Sequence, residues 1–101
     1  MLFRSSYIQD WLSTLTHEHG HVVSNCLENP IDKKEYTTLL SSFTQQRGLK
    51  NILKNTTASD YGATNISEHF AEHYAHYRLG IQSSNPDITD AIGQHYGWER
   101  L

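Results

Sequence analysis

The apolar residues of the chain recur mostly at helical spacing. From about Ser5 to Leu27 they fall three or four positions apart with no proline between them, which predicts one long first helix. Its apolar positions are Tyr7, Ile8, Trp11, Leu12, Leu15, Val22, Val23 and Cys26. We expect this helix to end near Asn29–Pro30, because proline pushes the preceding residue out of the helical conformation.

A second helix and a loop are predicted in the middle of the chain. The helix runs from Asp32, which can cap its start, to about Arg47, and Gly48 is its stop signal. Residues 49–63 are rich in small polar residues, and the pattern predicts that they form mostly a loop. A short extended piece around Ile52–Leu53 is the best candidate for a strand.

Two further helices are predicted in the C-terminal part of the chain. One begins near Thr64 or Asn65 and ends at about Leu79–Gly80. A short one follows Asn85–Pro86, where asparagine caps and proline occupies the first turn, and it ends by Gly97. Alternating strand patterns are nearly absent. The expected fold is therefore mainly α, with little or no β-sheet.

Composition narrows the class of protein. A length of 101 residues with 37% hydrophobic and 19% charged residues fits one small soluble domain over residues 1–101. The net charge of −3 argues against a nucleic-acid partner, since phosphate contacts need a basic face. No apolar run is long enough to span a membrane, and no signal peptide is visible. We expect a protein that stays in the cytoplasm where it is made, is carried in a virion, or is exported by a route the sequence does not show.

The chain contains one cysteine but seven histidines. Cys26 is the single cysteine, which excludes an internal disulfide and a cysteine-based zinc site, and its apolar neighbours favour a buried thiol. Histidine occurs seven times, and six of these residues form two groups: His17, His19, His21, and His69, His73, His76. Because histidine is the commonest metal ligand in proteins, this grouping indicates a metal site.

The first histidine group contains an HExxH motif, His17-Glu18-His19-Gly20-His21. Residues four apart lie on the same face of a helix, so His17 and His21 can bind one metal ion. Glu18 is rotated by about 100° from His17, which places its carboxylate beside the metal as a general base for a water molecule. Gly20 is expected to leave room for a group approaching the metal, and His19 on the far side is expected to be structural. The alternative is an exposed, histidine-rich helix.

A catalytic zinc needs a third protein ligand, and Glu68 is the candidate. It lies near the start of the third predicted helix, and Glu72 follows one turn later on the same face, suited to hydrogen-bond a ligand imidazole. The alternative for Glu68 is a capping box with Asn65, in which its side chain folds back on the helix end. If Thr64 is the cap instead, Glu68 is free to bind the metal.

Together these motifs resemble the anthrax lethal factor-like zinc metallopeptidases, a gluzincin branch of the HExxH zincins found in toxins and mobile-element proteins. That family pairs HExGH with a downstream Tyr-Gly/Ala-x-Thr/Ser-Asn-x-x-Glu-x-Phe-Ala-Glu. This chain has HEHGH at residues 17–21 and YGATNISEHFAE at residues 61–72. The resemblance covers roughly residues 11–79. It differs at Ser24, where relatives often have an acid, and at His73, where a small residue is usual.

The resemblance implies a minimal zincin-like core that hydrolyses a peptide bond with one zinc ion. It implies that His17, His21 and Glu68 bind Zn²⁺, that Glu18 is the base, and that Glu72 supports a ligand. It further implies that Tyr61 donates to the developing oxyanion; without the family pattern, a half-buried loop tyrosine would be an equal alternative. Such domains bind a peptide substrate on a sheet edge that precedes the active-site helix. Few residues precede that helix here, so the substrate strand is expected to come from elsewhere, with a protein partner as one possible source, or to be very reduced or missing.

Two other functions remain open from the sequence. One is a non-catalytic module of zincin ancestry, in which zinc stabilises the fold within a larger assembly such as a virion or toxin complex. The other is a small helical interaction domain without metal. The second histidine group offers no evident third ligand, and its members are expected at the cleft edge or on the surface: His69, His73 and His76.

Overall fold

The computed structural model describes residues 2–23 and 30–101, with side chains for Leu12, residues 14–23 and residues 32–101. It contains five α-helices and a short 3-10 turn at Tyr61–Ala63: α1 Leu2–Val23, α2 Pro30–Ser41, α3 Leu49–Thr56, α4 Ile66–Leu79 and α5 Pro86–Tyr96. The described residues include no β-strand, which confirms the predicted mainly α fold. Within them, every helix lacks either the length or the apolar composition that crossing a membrane requires.

Helix α1 forms where the apolar spacing predicts it, but it buries a different face. It begins at Leu2, and the predicted continuation to Leu27, with Cys26, lies outside the described residues. The apolar side chains of Leu12, Leu15 and Val22 are exposed, whereas the small residues Thr16 and Gly20 are buried. These three large apolar residues therefore lie outside the buried face of α1.

The prediction for the second helix was too long. Helix α2 starts at Pro30, before the predicted cap Asp32, and ends at Ser41 rather than near Arg47. The Ser42 hydroxyl donates to the Leu39 carbonyl oxygen at 2.6 Å, and the Gln46 N–H donates to the Thr44 hydroxyl at 3.1 Å. Hydroxyl groups that bond to the nearby backbone in this way compete with helical hydrogen bonds, and the helix stops.

The segment predicted as a loop with a short strand is helical. Helix α3 begins directly after Gly48, whose φ of +87° is one that glycine adopts without a steric penalty, so Gly48 starts α3 rather than stopping α2. The α3 side chains of Ile52, Leu53 and Thr56 are buried. The polar residues of this segment thus cover the solvent side of an amphipathic helix, and the predicted extended piece at Ile52–Leu53 is wrong.

Three of the predicted helix ends are capped as expected, at Asn65, Gly80 and Gly97. Asn85 precedes α5 but makes no side-chain cap bond, because its amide donates to the Thr57 carbonyl oxygen instead. The Asn65 side chain accepts a hydrogen bond from the Glu68 N–H at 2.9 Å and caps α4. Gly80 and Gly97, which follow α4 and α5, have φ values of +67° and +70° and close the two helices in the left-handed conformation. These caps fix the position of Glu68 in the first turn of α4.

The core contains residues from α4 and from three other helices. The buried members are Tyr36 and Leu40 of α2, Ile52 and Leu53 of α3, Phe70 of α4 and Ile92 of α5. The Phe70 ring makes edge contacts with Tyr36 and Trp98, with ring centroids 5.2 Å apart in both pairs. Helix α4 thus packs against this core through Phe70 and presents other residues to α1.

Helices α1 and α4 approach each other closely at Gly20. A Cβ atom on Gly20 would lie 2.9 Å from the Ala71 Cα and 3.2 Å from the Ala71 Cβ, and Gly20 is buried. The expectation that Gly20 leaves room for a group approaching the metal is therefore wrong. Its missing side chain lets α4 pack against α1, and this contact brings Glu68 close to the histidines of α1.

Candidate metal centre

Three side chains from α1 and α4 converge on one point. The Nε2 atoms of His17 and His21 lie 3.0 Å apart. The Glu68 carboxylate faces both: Oε2 is 3.0 Å from the His17 Nε2 and Oε1 is 2.9 Å from the His21 Nε2. All three side chains are half-buried. The structure therefore brings together the three residues that the sequence predicted as metal ligands.

The distances among these donor atoms fit a small divalent cation. Zinc bound tetrahedrally at about 2.0–2.1 Å would separate its ligand atoms by about 3.3 Å. The two Nε2 atoms lie 3.0 Å apart, and each has one Glu68 carboxylate oxygen within 3.0 Å. Two imidazoles and one carboxylate also form a known donor set for catalytic zinc, with a fourth position open.

Glu72 fixes the orientation of His17. Its Oε2 atom lies 2.6 Å from the His17 Nδ1, so His17 donates its Nδ1 proton to Glu72 and directs the Nε2 lone pair toward Glu68 and His21. The other oxygen, Oε1, accepts a hydrogen bond from the Ser59 hydroxyl. The structure thus places Glu72 where the sequence predicted a support for a ligand imidazole. Such partners set the tautomer and increase the basicity of a metal-binding histidine.

His21 has a corresponding partner that sequence reasoning missed. Its Nδ1 lies 3.1 Å from the Ser67 hydroxyl oxygen, which can accept the Nδ1 proton. Ser67 directly precedes Glu68 at the start of α4, so one turn of helix supplies both a candidate ligand and the support of another. The only sequence signal for Ser67 was its position beside the predicted ligand. Ser59 lies in a polar loop and carried no such signal.

The capping role and the ligand role at the start of α4 are compatible. The cap bond uses the backbone N–H of Glu68 and the side chain of Asn65. The carboxylate of Glu68 takes no part in that bond and contacts His17 and His21. The predicted alternative, in which Glu68 folds back on the helix end, is therefore wrong. Asn65 is the cap, and Glu68 is nevertheless directed toward the histidines.

The three residues line an open cleft of about 320 Å³ that also includes Thr14, Glu18, Tyr61 and Glu72. Glu18 is exposed, one helical step from His17. The Tyr61 side chain is 60% exposed, so it is not the half-buried loop tyrosine of the alternative. Its ring lies edge-on to His17 with the ring centroids 5.8 Å apart. Both residues with predicted catalytic roles thus border the same cleft as the candidate ligands.

His19 lies outside this cleft, as the helical spacing predicts. Its Nδ1 is 3.0 Å from the Tyr74 hydroxyl, and the two rings meet edge-on at a centroid distance of 5.5 Å. The Tyr74 hydroxyl also accepts a hydrogen bond from Arg78 at 2.8 Å. His19 therefore contributes to the packing of α1 on α4 rather than to the candidate metal centre.

The second histidine group differs from its prediction, because His69 and His73 are fully buried. The His69 Nε2 donates to the Thr56 hydroxyl at 2.9 Å, and its Nδ1 accepts from the Tyr36 hydroxyl at 2.6 Å. His73 donates to the Thr56 carbonyl oxygen at 2.7 Å and lies 2.9 Å from the Thr89 hydroxyl. The expectation of cleft-edge or surface positions is wrong for both. They are neutral core residues that link α4 to α2, α3 and α5.

Burial determines the protonation of this core network. It lowers the pKa of His69 to about 2, with a further lowering from the nearby His73. It likewise lowers the pKa of His73 to about 4 and raises the pKa of Tyr36 well above its usual value. The remaining member of the group, His76, is half-buried, with its Nδ1 3.3 Å from the Ile81 carbonyl oxygen. Among the described residues, only His17, His21 and Glu68 form a cluster suited to a metal ion.

The lowered pKa of His73 predicts a loss of stability in mild acid. Below the ordinary histidine pKa of 6.5 the unfolded chain binds a proton at His73, whereas the folded chain does not until the pH nears 4. The contribution of neutral His73 to the free energy of unfolding is therefore fully present above pH 6.5. It falls by up to about 1.4 kcal/mol per pH unit as the pH decreases toward 4. Urea unfolding of the metal-free protein between pH 7.5 and 4.5 measures the slope. We expect a shallower slope for His73→Gln, and an unchanged slope would contradict the assignment.

No protein-family model, curated protein or solved structure matches the chain in comparisons with known proteins. The likeness to the lethal factor-like metallopeptidases therefore rests on the two sequence motifs alone.

Proposed function

We propose that the protein is a zinc-dependent metallopeptidase. The observation that carries this proposal is the convergence of His17, His21 and Glu68 in an open cleft. The two Nε2 atoms lie 3.0 Å apart, and each has a Glu68 carboxylate oxygen within 3.0 Å. Imidazole nitrogen and carboxylate oxygen are ligands that zinc accepts readily, and two histidines with one glutamate leave a position for water or substrate. Bound zinc would lower the pKa of a water molecule and polarise the carbonyl group of the substrate.

The side chains around the ligands supply the proton transfers that hydrolysis needs. Glu18 projects into the cleft beside His17, so its carboxylate can accept a proton from the attacking water and return it to the departing amine. Tyr61 borders the same cleft, where its hydroxyl can donate to the carbonyl oxygen as that oxygen gains negative charge. Glu72 receives the Nδ1 proton of His17 in a hydrogen bond and keeps that imidazole in one tautomer.

The substrate of this proposal is a peptide segment of another protein. The cleft is open, so an extended peptide can lie across it beside Tyr61 and Glu18. Relatives in the resembling family hold such a segment by adding it to a sheet edge, and the described residues contain no strand. We therefore propose that a protein partner supplies the surface that aligns the substrate.

One observation favours a second function, in which zinc only stabilises the fold. The candidate ligands come from two helices, with His17 and His21 on α1 and Glu68 on α4, so a bound ion would tie α1 to the core. The side chains of Leu12, Leu15 and Val22 on α1 are exposed, which leaves this helix with little apolar burial of its own in this region. A structural zinc would offset that deficit. Both proposed functions use the same metal site, but only the first includes hydrolysis of a peptide.

A single experiment on the wild-type protein tests the first function. The protein is stripped of metal, loaded with one equivalent of zinc and incubated with a mixture of peptides, whose fragments are identified by mass spectrometry. We expect cleavage that stops when a chelator is added and returns with fresh zinc. Stoichiometric zinc without cleavage, together with a higher melting temperature of the zinc-loaded form, would support the structural function. If no zinc binds, both are wrong.

A further inference from the structure

We infer that Ser59 is a positioning residue for the metal centre, connecting the turn that carries Tyr61 to the carboxylate that orients His17. This inference rests on the proposed zinc site. Ser59 lies in the loop between α3 and the 3-10 turn, 42 positions along the chain from His17, and is half-buried. No motif in the sequence marked it as part of the site.

The first part of the connection runs from Ser59 to His17 through Glu72. The Ser59 hydroxyl donates to the Glu72 Oε1, and the His17 Nδ1 donates to the Glu72 Oε2 at 2.6 Å. Each carboxylate oxygen is thus bonded to one donor, and the two donors together define the plane of the carboxylate. Without the hydroxyl, the carboxylate can rotate about its last bond, and its hydrogen bond to His17 becomes less well aligned.

The second part of the connection runs from Ser59 to the Tyr61 turn. The Gly62 N–H lies 3.1 Å from the Ser59 carbonyl oxygen and 3.4 Å from the Ser59 hydroxyl oxygen, so Ser59 accepts from the residue next to Tyr61. The Thr57 hydroxyl donates to the Ser59 carbonyl at 2.5 Å and holds the loop in place. Ser59 therefore has a fixed backbone position, and its hydroxyl proton is free to be donated to Glu72.

Gly62 brings this turn against the stem of Glu72. A Cβ atom on Gly62 would lie 2.4 Å from the Thr57 hydroxyl oxygen and 3.3 Å from the Glu72 Cβ, so only glycine fits between them. The Tyr61 turn and the Glu72 side chain are thus in direct packing contact as well as hydrogen-bonded through Ser59. A displacement of Glu72 would move both the support of His17 and the turn that positions Tyr61.

The zinc affinity of Ser59→Ala tests this role. We expect the affinity, measured by competition with a chromophoric chelator, to fall about tenfold, at the lower end of the effect of groups that support a metal ligand. Ser84→Ala is the matched control, because Ser84 is exposed and its side chain makes no hydrogen bond to the residues that the structure describes. Its zinc affinity should equal that of the wild type. Equal affinity of Ser59→Ala and wild type would overturn the inference.

A double-mutant cycle separates positioning through Glu72 from a general weakening of the loop. In the Glu72→Ala background, Ser59→Ala should lower zinc affinity by less than twofold, because the side chain on which Ser59 acts is gone. A full tenfold loss in both backgrounds would show that Ser59 acts by another route and would contradict the inference. Failure of the wild type to bind zinc would instead reject the proposed function, so the two failures are distinguishable.

Discussion

Replacing Glu18 with glutamine is expected to lower the rate of peptide hydrolysis by about 10²–10⁴-fold while one zinc ion stays bound. Glutamine has nearly the shape of glutamate, but its amide cannot accept a proton from water at neutral pH. Glu18 is exposed and is not among the clustered donor atoms, so the substitution should alter neither the metal site nor the fold. A loss of hydrolysis with zinc still bound would therefore show that Glu18 acts in proton transfer and not in zinc binding.

The measurement compares turnover at saturating zinc with the zinc content of the same preparation. Glu99→Gln is the matched control, since it makes the same chemical change at an exposed position near the C-terminus. Its activity and metal content should equal those of the wild type. Undiminished hydrolysis by Glu18→Gln would reject Glu18 as the base. Loss of both zinc and activity would show that Glu18 supports the metal site instead.

The same variant distinguishes the two proposed functions. If zinc serves only to hold α1 against α4, Glu18→Gln should leave the melting temperature of the zinc-loaded protein unchanged, and the wild type should show no turnover. If the protein is a peptidase, the wild type should turn over and Glu18→Gln should not. Zinc-dependent stabilisation on its own is compatible with both functions, because any ligand that binds only the folded state raises stability.

The sequence predicts the candidate ligands because their chemistry depends on spacing. His17 and His21 are four residues apart on one helix, so local geometry alone places their imidazoles together. Glu68 needed a second argument, since nothing in the spacing within α1 specifies a residue 51 positions from His17. Asn65 could be predicted as a helix start, but whether Glu68 would fold back or face the histidines depends on how α4 packs on α1.

That packing was not predictable from the pattern of apolar residues. The contact between α1 and α4 depends on the absence of a side chain at Gly20, and on the small side chain of Ala71 opposite. Neither residue contributes to an apolar stripe, and a glycine within a helix usually indicates only a weak helix former. The approach of the two helices is a tertiary effect, and it is the feature that turns three separate side chains into one cluster.

The buried histidines show a second limit of sequence reasoning. His69 and His73 lie four residues apart. Histidines on a helix surface or in a metal site can have the same spacing, so the spacing alone does not show that these two are core residues. The distinguishing feature is the set of polar partners that Tyr36, Thr56 and Thr89 provide from three other helices. Burial of a polar ring is tolerated only where its two nitrogens are both hydrogen-bonded, and that condition becomes visible only in the fold.

The other large effect is expected from the candidate ligands, where substitutions of two neighbouring histidines should give opposite results. His21→Ala removes a donor atom of the cluster and should lower zinc affinity by more than about a hundredfold, since even groups that only support a ligand account for 10–100-fold. His19→Ala changes a histidine two residues away whose ring contacts Tyr74 outside the cleft, and it should bind zinc as the wild type does.

Glu68→Gln extends this comparison to the candidate ligand on α4. Glutamine keeps the size of the side chain and the backbone N–H that Asn65 caps, so α4 should form normally while the charged donor is lost. We expect a loss of zinc affinity of the same order as in His21→Ala, with an unchanged helical signal by circular dichroism. Wild-type affinity in Glu68→Gln would mean that α1 binds the metal alone. Because the candidate centre exists only where α1 and α4 meet, that result would remove the structural basis of the proposed peptidase.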